Sequence, residues 1–275
     1  MEDQKDLHKK GLENLDFLRK QKIFIGIPAY GGQCFVGAAS ALVQIVAGLN
    51  KYGVDCTFKF ISNSSFVTIA RNTLSYEFLN SDFTHLFFLD ADINFIDNPA
   101  HSIIKMILAD EDIVCAPYVK KALNWENIKR AAQLDVPAED LEKYSGTFCL
   151  NAVNDLLNKS DIQNGMVEIK ESGTGCMLIK RRVFETIKTK FPEYNCNGNT
   201  FDFQFFNTEI DKESNEYITE DYMFQRRARE CGFKVFMIPS IKLIHIGTFG
   251  FVSDLETIAN NEVGFIIGGH GSNKI

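Results

Sequence analysis

Two aspartates, Asp90 and Asp92, close an apolar run in FFLDADINF (residues 87–95). Residues 85–90 read as a buried strand, and alternate positions on an extended backbone point the same way, so both carboxylates can face one crevice. Two carboxylates so placed repel unless a cation sits between or beside them. A hard divalent ion with oxygen ligands, Mg²⁺ or Mn²⁺, is the natural occupant. The competing assignment is a solvated turn, because Asp is common at strand ends as a cap or turn former. A second acidic pair, Glu220 and Asp221, opens a charged helix over 219–231, where it would also serve as ordinary N-terminal charge. His245, in LIHIG, ends an apolar strand, a place where a histidine is usually structural. Gly173, Thr174 and Gly175 form a turn in which the backbone can approach a ligand, or simply one that requires φ > 0.

The elements that must hold these groups follow from period and punctuation. KIFIGIPAY (22–30) reads as a strand that is apolar on both faces and breaks at Pro28. Residues 36–52 read as a helix and DCTFKFIS (55–62) as a second strand. Residues 66–80 read as a helix with a stripe of Phe66, Ile69, Thr73, Leu74 and Phe78. HLFFLD (85–90), a helix over 99–109 and DIVCAP (112–117) complete a β-α-β-α-β-α-β series, which predicts a parallel sheet with right-handed crossovers. In an open α/β sheet ligands bind beyond the carboxyl ends of the strands. Three such ends carry unusual chemistry: Pro28-Ala29-Tyr30, Ser62-Asn63-Ser64 and Asp90-Ala91-Asp92. Past residue 118 the alternation weakens into a polar helical stretch (124–133) and a loop-rich middle. ESGTGCMLIKRRVFE then gives a glycine turn, a short strand and a helix start, and KVFMIP and IKLIHIG give two more strands. Leucines at 7, 12, 15 and 18 predict a leading helix over 5–20, and the glycine-rich end of the tail 254–275 predicts a loosely held cover.

Bulk properties narrow the function classes. The chain has 275 residues, 45% of them hydrophobic, which suffices for one sizeable core. A net charge of −7 counts against a polyanion-binding surface. Seven cysteines, an odd number with no CxxC pair, resemble neither a disulfide framework nor a zinc site and predict reduced thiols in an intracellular protein. The N-terminus lacks a signal-peptide core, and no run reaches the ~18–20 apolar residues of a membrane span, so a cytoplasmic protein is expected.

The motifs IGIPAY, ARN (Arg71-Asn72), FLDAD, ESGTGCMLIKR, ITEDYMFQRRARECGFKV and LIHIG occur in the order seen in GT-A-type glycosyltransferases related to the large family 2 group. The chain resembles that family over about residues 22–250. The resemblance implies an α/β, Rossmann-like single domain with a mostly parallel sheet and flanking helices. Its halves would be 22–120 for the nucleotide sugar and 121–253 for acceptor and catalysis, between the leading helix 1–21 and the tail 254–275. It further implies that Asp90 and Asp92, either side of Ala91, hold Mn²⁺ or Mg²⁺ against a sugar-nucleotide diphosphate, with Asp92 the more direct ligand and His245 completing the site. Asp221 would take the proton from the acceptor hydroxyl in an inverting transfer, with Glu220 positioning acceptor or helix. Gly173, Thr174 and Gly175 would line donor sugar and acceptor, while Pro28, Ala29, Tyr30, Asn63 and Arg71 would hold nucleobase and ribose.

After the fourth strand, Tyr118, Lys120, Lys121 and Trp125 offer cations for a leaving diphosphate and an aromatic platform for a sugar, although lysines there are usually solubilising. Processive relatives carry QxxRW where this chain has QRRAR, so a non-processive enzyme is expected; Arg226 could equally pair with Glu230 on a solvated face. The implied activity is metal-dependent hexosyl transfer from a nucleoside-diphosphate sugar, UDP-sugar favoured, to a hydroxyl on a glycan, lipid-linked sugar, protein or modified DNA base. A nucleotidyltransferase acting on sugar phosphates would carry a basic residue in the loop after the first strand, and IPAYGGQCF has none. A non-catalytic carbohydrate-binding scaffold of the same fold would be expected to lose some of Asp90, Asp92, Asp221 and His245, and all four are present.

Overall fold

The apolar runs of the sequence become the middle of one sheet. The computed structural model describes residues 2–154, 158–191, 203–247, 250–252 and 254–260. Helices α1 (Glu2–Glu13) and α2 (Leu15–Leu18) precede β1 (Lys22–Ala29) and α3 (Val36–Lys51). Then come β2 (Asp55–Ser62), α4 (Val67–Leu79), β3 (His85–Leu89), β4 (Ile93–Phe95), α5 (Pro99–Leu108) and β5 (Ile113–Cys115). The second half supplies α6 (Trp125–Gln133), β6 (Leu150–Ala152), β7 (Val167–Ser172), β8 (Cys176–Lys180) and α7 (Arg181–Lys190). A small hairpin of β9 (Glu209–Ile210) and β10 (Tyr217–Ile218) leads into α8 (Glu220–Glu230). β11 (Val235–Met237), β12 (Leu243–Ile246), β13 (Gly250–Val252) and α9 (Leu255–Asn260) follow.

Eight strands form the central sheet in the order β2-β1-β3-β8-β5-β11-β7-β6. β1 is parallel to β2 and β3, and β5 to β11, while β8 and β7 oppose their neighbours. The sheet is therefore mostly parallel in direction and flanked by helices, a Rossmann-like α/β domain. The unbroken parallel series expected from the sequence does not form, because β8 enters antiparallel between β3 and β5, setting Ile179 beside Leu86 and Leu178 beside Val114. CMLIK is apolar at its first four positions, all of them buried, so it suits the sheet centre as well as β5 does. A second sheet, β13-β12-β4, takes the strand that holds His245.

Each side of the central sheet carries its own core. β3 alternates between them: Leu86 and Phe88 join Phe78, Phe184 and Phe224 on one side, and Phe87 and Leu89 join Ile25, Ile45 and Ile103 on the other. In α4 the buried face runs through Ala70, Arg71, Leu74, Ser75 and Phe78, whereas Phe66 and Ile69 of the expected stripe are exposed. The helix is rotated so that two polar side chains find internal partners. Asn72 Nδ2 donates to the Phe206 carbonyl (2.7 Å) and its Oδ1 accepts the Phe206 N–H (2.9 Å), while Arg71 meets Asp90. Arg226 likewise pairs across elements, with Glu171 (2.9 Å) and Asp211 (3.1 Å), and not with Glu230.

The leading helix breaks at Asn14 into α1 and α2. In the expected cover, α9 buries Leu255, Ile258 and Ala259, and 261–275 lies outside the described residues. The six described cysteines are free, Cys196 lying outside the described residues. Among the described residues no helix is long and apolar enough to cross a membrane.

Candidate functional site

β1, β2 and β3 end side by side, and the residues at and beyond their carboxyl ends wall a cleft of about 450 Å³. Pro28, Ala29 and Tyr30 line it from β1, Ser64 and Ser65 from the loop after β2, and Asp90, Ala91 and Asp92 from the loop after β3. Asp90 and Asp92 do not share an extended segment. The Asp90 carbonyl accepts the Ile93 N–H (3.1 Å), which makes 90–93 a tight turn, yet both side chains still line the cleft. The Phe35 N–H donates to the Ala91 carbonyl (2.9 Å) and fixes this turn to the chain leaving β1.

The two aspartates have different partners. Arg71, only 4% exposed, places Nη2 3.0 Å from Asp90 Oδ1 and 3.1 Å from Oδ2, with Nε 3.6 Å from Glu220 Oε1. Burial works against the guanidinium charge, and the carboxylates of Asp90 and Glu220 more than offset it. Arg71 Nε and Nη1 have no hydrogen-bond partner, and neither does Asp90 Oδ1. Asp92 accepts a hydrogen bond from Lys121 Nζ and faces His245 Nε2 at 3.5 Å. Burial alone would raise the Asp92 carboxyl, but His245 and Lys121 hold it below the usual carboxylate range.

His245 Nδ1 lies 2.7 Å from the Val119 carbonyl, an oxygen that can only accept, so Nδ1 carries the hydrogen. That leaves Nε2 facing Asp92 Oδ1, 3.5 Å away. A backbone carbonyl fixing the tautomer of an imidazole beside a carboxylate is the support that metal-ligating histidines use. The donor set of carboxylate oxygen and imidazole nitrogen fits Mn²⁺ or Mg²⁺, Mn²⁺ better because of the nitrogen. Among the described residues no three His, Cys, Asp or Glu side chains stand together as a ready ligand set.

The glycine turn joins β7 to β8 and packs against the same point. Gly175 accepts the Asp90 N–H (2.9 Å) and donates its own N–H to Tyr118 Oη (3.1 Å). A Cβ on Gly173 would lie 1.9 Å from Tyr118 Oη, and one on Gly175 3.0 Å from Tyr118 Cζ and 3.1 Å from Asp90 Oδ2. These glycines answer a close approach, not a positive φ, which neither has. Thr174 between them is fully buried. Tyr118 in turn sits edge-on to His245, ring centres 5.3 Å apart. Burial, with Cys149, Asp90 and Asp221 adding to it, pushes the Tyr118 phenol well above its ordinary range.

Glu220 and Asp221 open α8. Asp221 Oδ1 accepts the Tyr222 N–H (2.9 Å) and the Thr219 hydroxyl. Burial, and then the adjacent Glu220 carboxylate, push Asp221 up to about 6, against the pull of Thr219 and Arg71. Arg71 thus ties this pair to Asp90.

Other expected residues fall at varying distances from the cleft. Asn63 takes a left-handed backbone (φ 58°), and the serines that follow it line the cleft in its place. Lys120 is exposed and its N–H binds the Thr147 carbonyl (2.8 Å), while the next residue, Lys121, reaches Asp92. Trp125 is exposed at the start of α6. Sequence reasoning passed over Gln33 and Phe35, which line the cleft, and the Val119 carbonyl behind His245. Gly31 and Gly32, both at φ 68°, were the available signal for the first two, since they turn the chain after β1 back over the cleft.

No protein-family model matches the chain, and no curated protein matches it. Among solved structures, the crystal structure of A197 from STIV is similar at 16% identity and a TM-score of 0.47, over 92% of this chain and 97% of that one. A Bacillus anthracis protein described as a "Putative Glucose-1-Phosphate Thymidylyltransferase", in complex with a sucrose, is similar at 14% identity and a TM-score of 0.29, over 62% of this chain and 76% of that one. At these scores neither likeness assigns an activity to this chain.

Proposed function

We propose that the chain is a metal-dependent glycosyltransferase of the GT-A type. It would move a sugar from a nucleoside-diphosphate sugar, UDP-sugar favoured, to an acceptor hydroxyl, with inversion and one transfer per encounter. The observation that carries this reading is the Asp92–His245 pair, with its tautomer fixed by Val119, at the end of a cleft walled by three parallel strand ends. Asp92 and His245 would hold Mn²⁺ or Mg²⁺, with Asp90 beside them. Such an ion supplies positive charge to the diphosphate oxygens as the leaving group departs.

The residues of the chain account for the rest. The nucleoside would lie between Tyr30 and the Ser64-Ser65 loop, with its diphosphate toward Asp90 and Asp92. Lys121, released from Asp92, would turn its ammonium to the same oxygens. Gly173 and Gly175, lacking side chains, let the backbone of the turn close on the Tyr118 phenol and on Asp90 beside the donor sugar. Asp221 would accept the acceptor proton as the hydroxyl oxygen bonds to the anomeric carbon and the bond from that carbon to the diphosphate breaks. A carboxylate pushed up to about 6 holds a proton more strongly than an ordinary aspartate and is still ionised at neutral pH, as a general base must be. The nucleotidyltransferase reading is weaker, because the chain from Pro28 to Phe35 at the cleft carries no cation.

Screening nucleotide sugars by thermal shift with Mn²⁺ tests the proposal. One donor is expected to raise the melting temperature by mass action, and only with the metal present. No shift from any nucleotide sugar at millimolar concentration would contradict it.

A further inference from the structure

The two edges of the central sheet are finished differently. β6 is three residues long and its register with β7 shifts between Asn151 and Ala152, the short, bulged form that discourages further pairing. β2 is eight residues long, pairs in unbroken register with β1 from Asp55 to Ser62, and contains neither proline nor bulge. Among the described residues it pairs with no other strand, so alternate residues present N–H and C=O groups outward. Apart from Asp55 and Lys59, its side chains do not protect it. Phe58 is 49% exposed and Phe60 37%, and their rings touch edge to face at 5.9 Å. They share a strand face with Cys56, which packs into the core under α3. α3 carries no charged residue before Lys51 and leaves Val36 and Val43 exposed, Val43 at 68%. An edge strand and a helix that are both apolar toward solvent form a surface of the kind that other chains cover.

We infer that β2 is the dimerisation edge of this protein, pairing antiparallel with β2 of a second copy about a two-fold axis at Thr57. Charge selects both the occupant and the register. In an antiparallel pair centred on Thr57, residue 55 stands opposite residue 59 of the other copy, on the same face. Asp55 therefore meets Lys59 of the second copy, and by symmetry the contact occurs twice. Among the described residues Lys59 is held by an exposed pair with Glu77 (2.7 Å), a weak tie that lets it serve a second carboxylate as well. On the opposite face Phe58 stands across from Cys56 of the second copy and diagonal to its Phe58, which brings the exposed aromatics together. A single strand of this sequence thus complements itself in backbone, charge and apolar surface, the requirement of an isologous interface. The inference is independent of the proposed activity, since the donor cleft opens at the carboxyl ends of the strands.

Sedimentation velocity on the full chain is expected to give a dimer at about 10 μM. Replacing both Phe58→Asp and Phe60→Asp is expected to give a monomer with an unchanged circular dichroism spectrum. Should that variant fail to fold, Thr57→Cys keeps the inference testable. Under mild oxidation it is expected to form a disulfide-linked dimer across the axis, whereas wild type and Lys59→Cys do not. A wild-type chain that stays monomeric at about 100 μM would overturn the inference. So would a Thr57→Cys chain that does not cross-link, or a dimer that survives both phenylalanine replacements. A monomer that co-sediments with phosphatidylcholine vesicles, and loses that with Phe58→Asp, would assign the face to a membrane surface instead.

Discussion

Asp90 and Asp92 each lie against a cation, Arg71 and Lys121 respectively, whereas Glu220 and Asp221 share one arginine, 3.6 Å from the first of them. The consequence is opposite acid strength within one site. Asp92 is held below the usual range by His245 and Lys121, and Asp221 is pushed up to about 6 by burial and by Glu220. Asp92 stays charged and is suited to a cation, and Asp221 can give and take a proton near neutral pH. Environments that push carboxylates apart in this way mark the acid–base assignments of a site.

Arg71 connects the pairs, so its removal breaks the comparison most severely. Arg71→Met leaves Asp90 and Glu220 without their shared buried cation and is expected to cost about 3–5 kcal/mol of stability, read by urea denaturation. A loss under about 1 kcal/mol would mean that water already screens these carboxylates.

Asp221→Asn comes next. It is expected to lower turnover ~10²-fold or more while donor affinity stays near wild type, measured with the donor found by screening. Transfer at the wild-type rate would remove Asp221 as base and favour a retaining reaction.

The same carboxyl sets a pH dependence. Because its folded value is raised, the stability it contributes is full below its unfolded value and is lost as pH rises through about 6. Asp221→Asn is therefore expected to melt higher than wild type at pH 7, with the gap closing toward pH 4. Wild-type turnover should in parallel rise with pH through about 6 as the base ionises. An ordinary helix-capping role predicts the reverse at pH 7, a slightly lower melting temperature.

The smallest effect concerns the nucleoside. Contacts from Tyr30 and the loop after β2 are expected to favour one nucleoside diphosphate about tenfold, near 1.4 kcal/mol. Equal affinities for UDP, GDP, CDP and dTDP would place the base elsewhere.

The two pairs also differ in how far the sequence exposes them. β1 and β3 are legible because strands buried on both faces need continuous apolar runs, and the aspartates stand out where such a run stops. The placement of β8 is not legible, since pairing between segments some 90 residues apart leaves no trace in local periodicity. Phe66 and Ile69 mislead for a related reason. Apolar spacing assigned them to the core, but the helix turned to bury Arg71 and Asn72, whose partners come from β3 and from residue 206. Arginine in a helix ordinarily signals solvent, and so does Arg226, which instead bridges Glu171 and Asp211. The Asp92–His245 pairing, 153 positions apart, shows in the sequence only as two isolated residue types and becomes chemistry once β12 pairs with β4.

The most direct test of a cation held by that pair is calorimetric titration of UDP with and without Mn²⁺ into wild type, Asp92→Ala and His245→Ala. The account predicts that Mn²⁺ strengthens binding to wild type, and that this increment disappears in both variants while their circular dichroism spectra are unchanged. An undiminished Mn²⁺-dependent increment in both variants would contradict it.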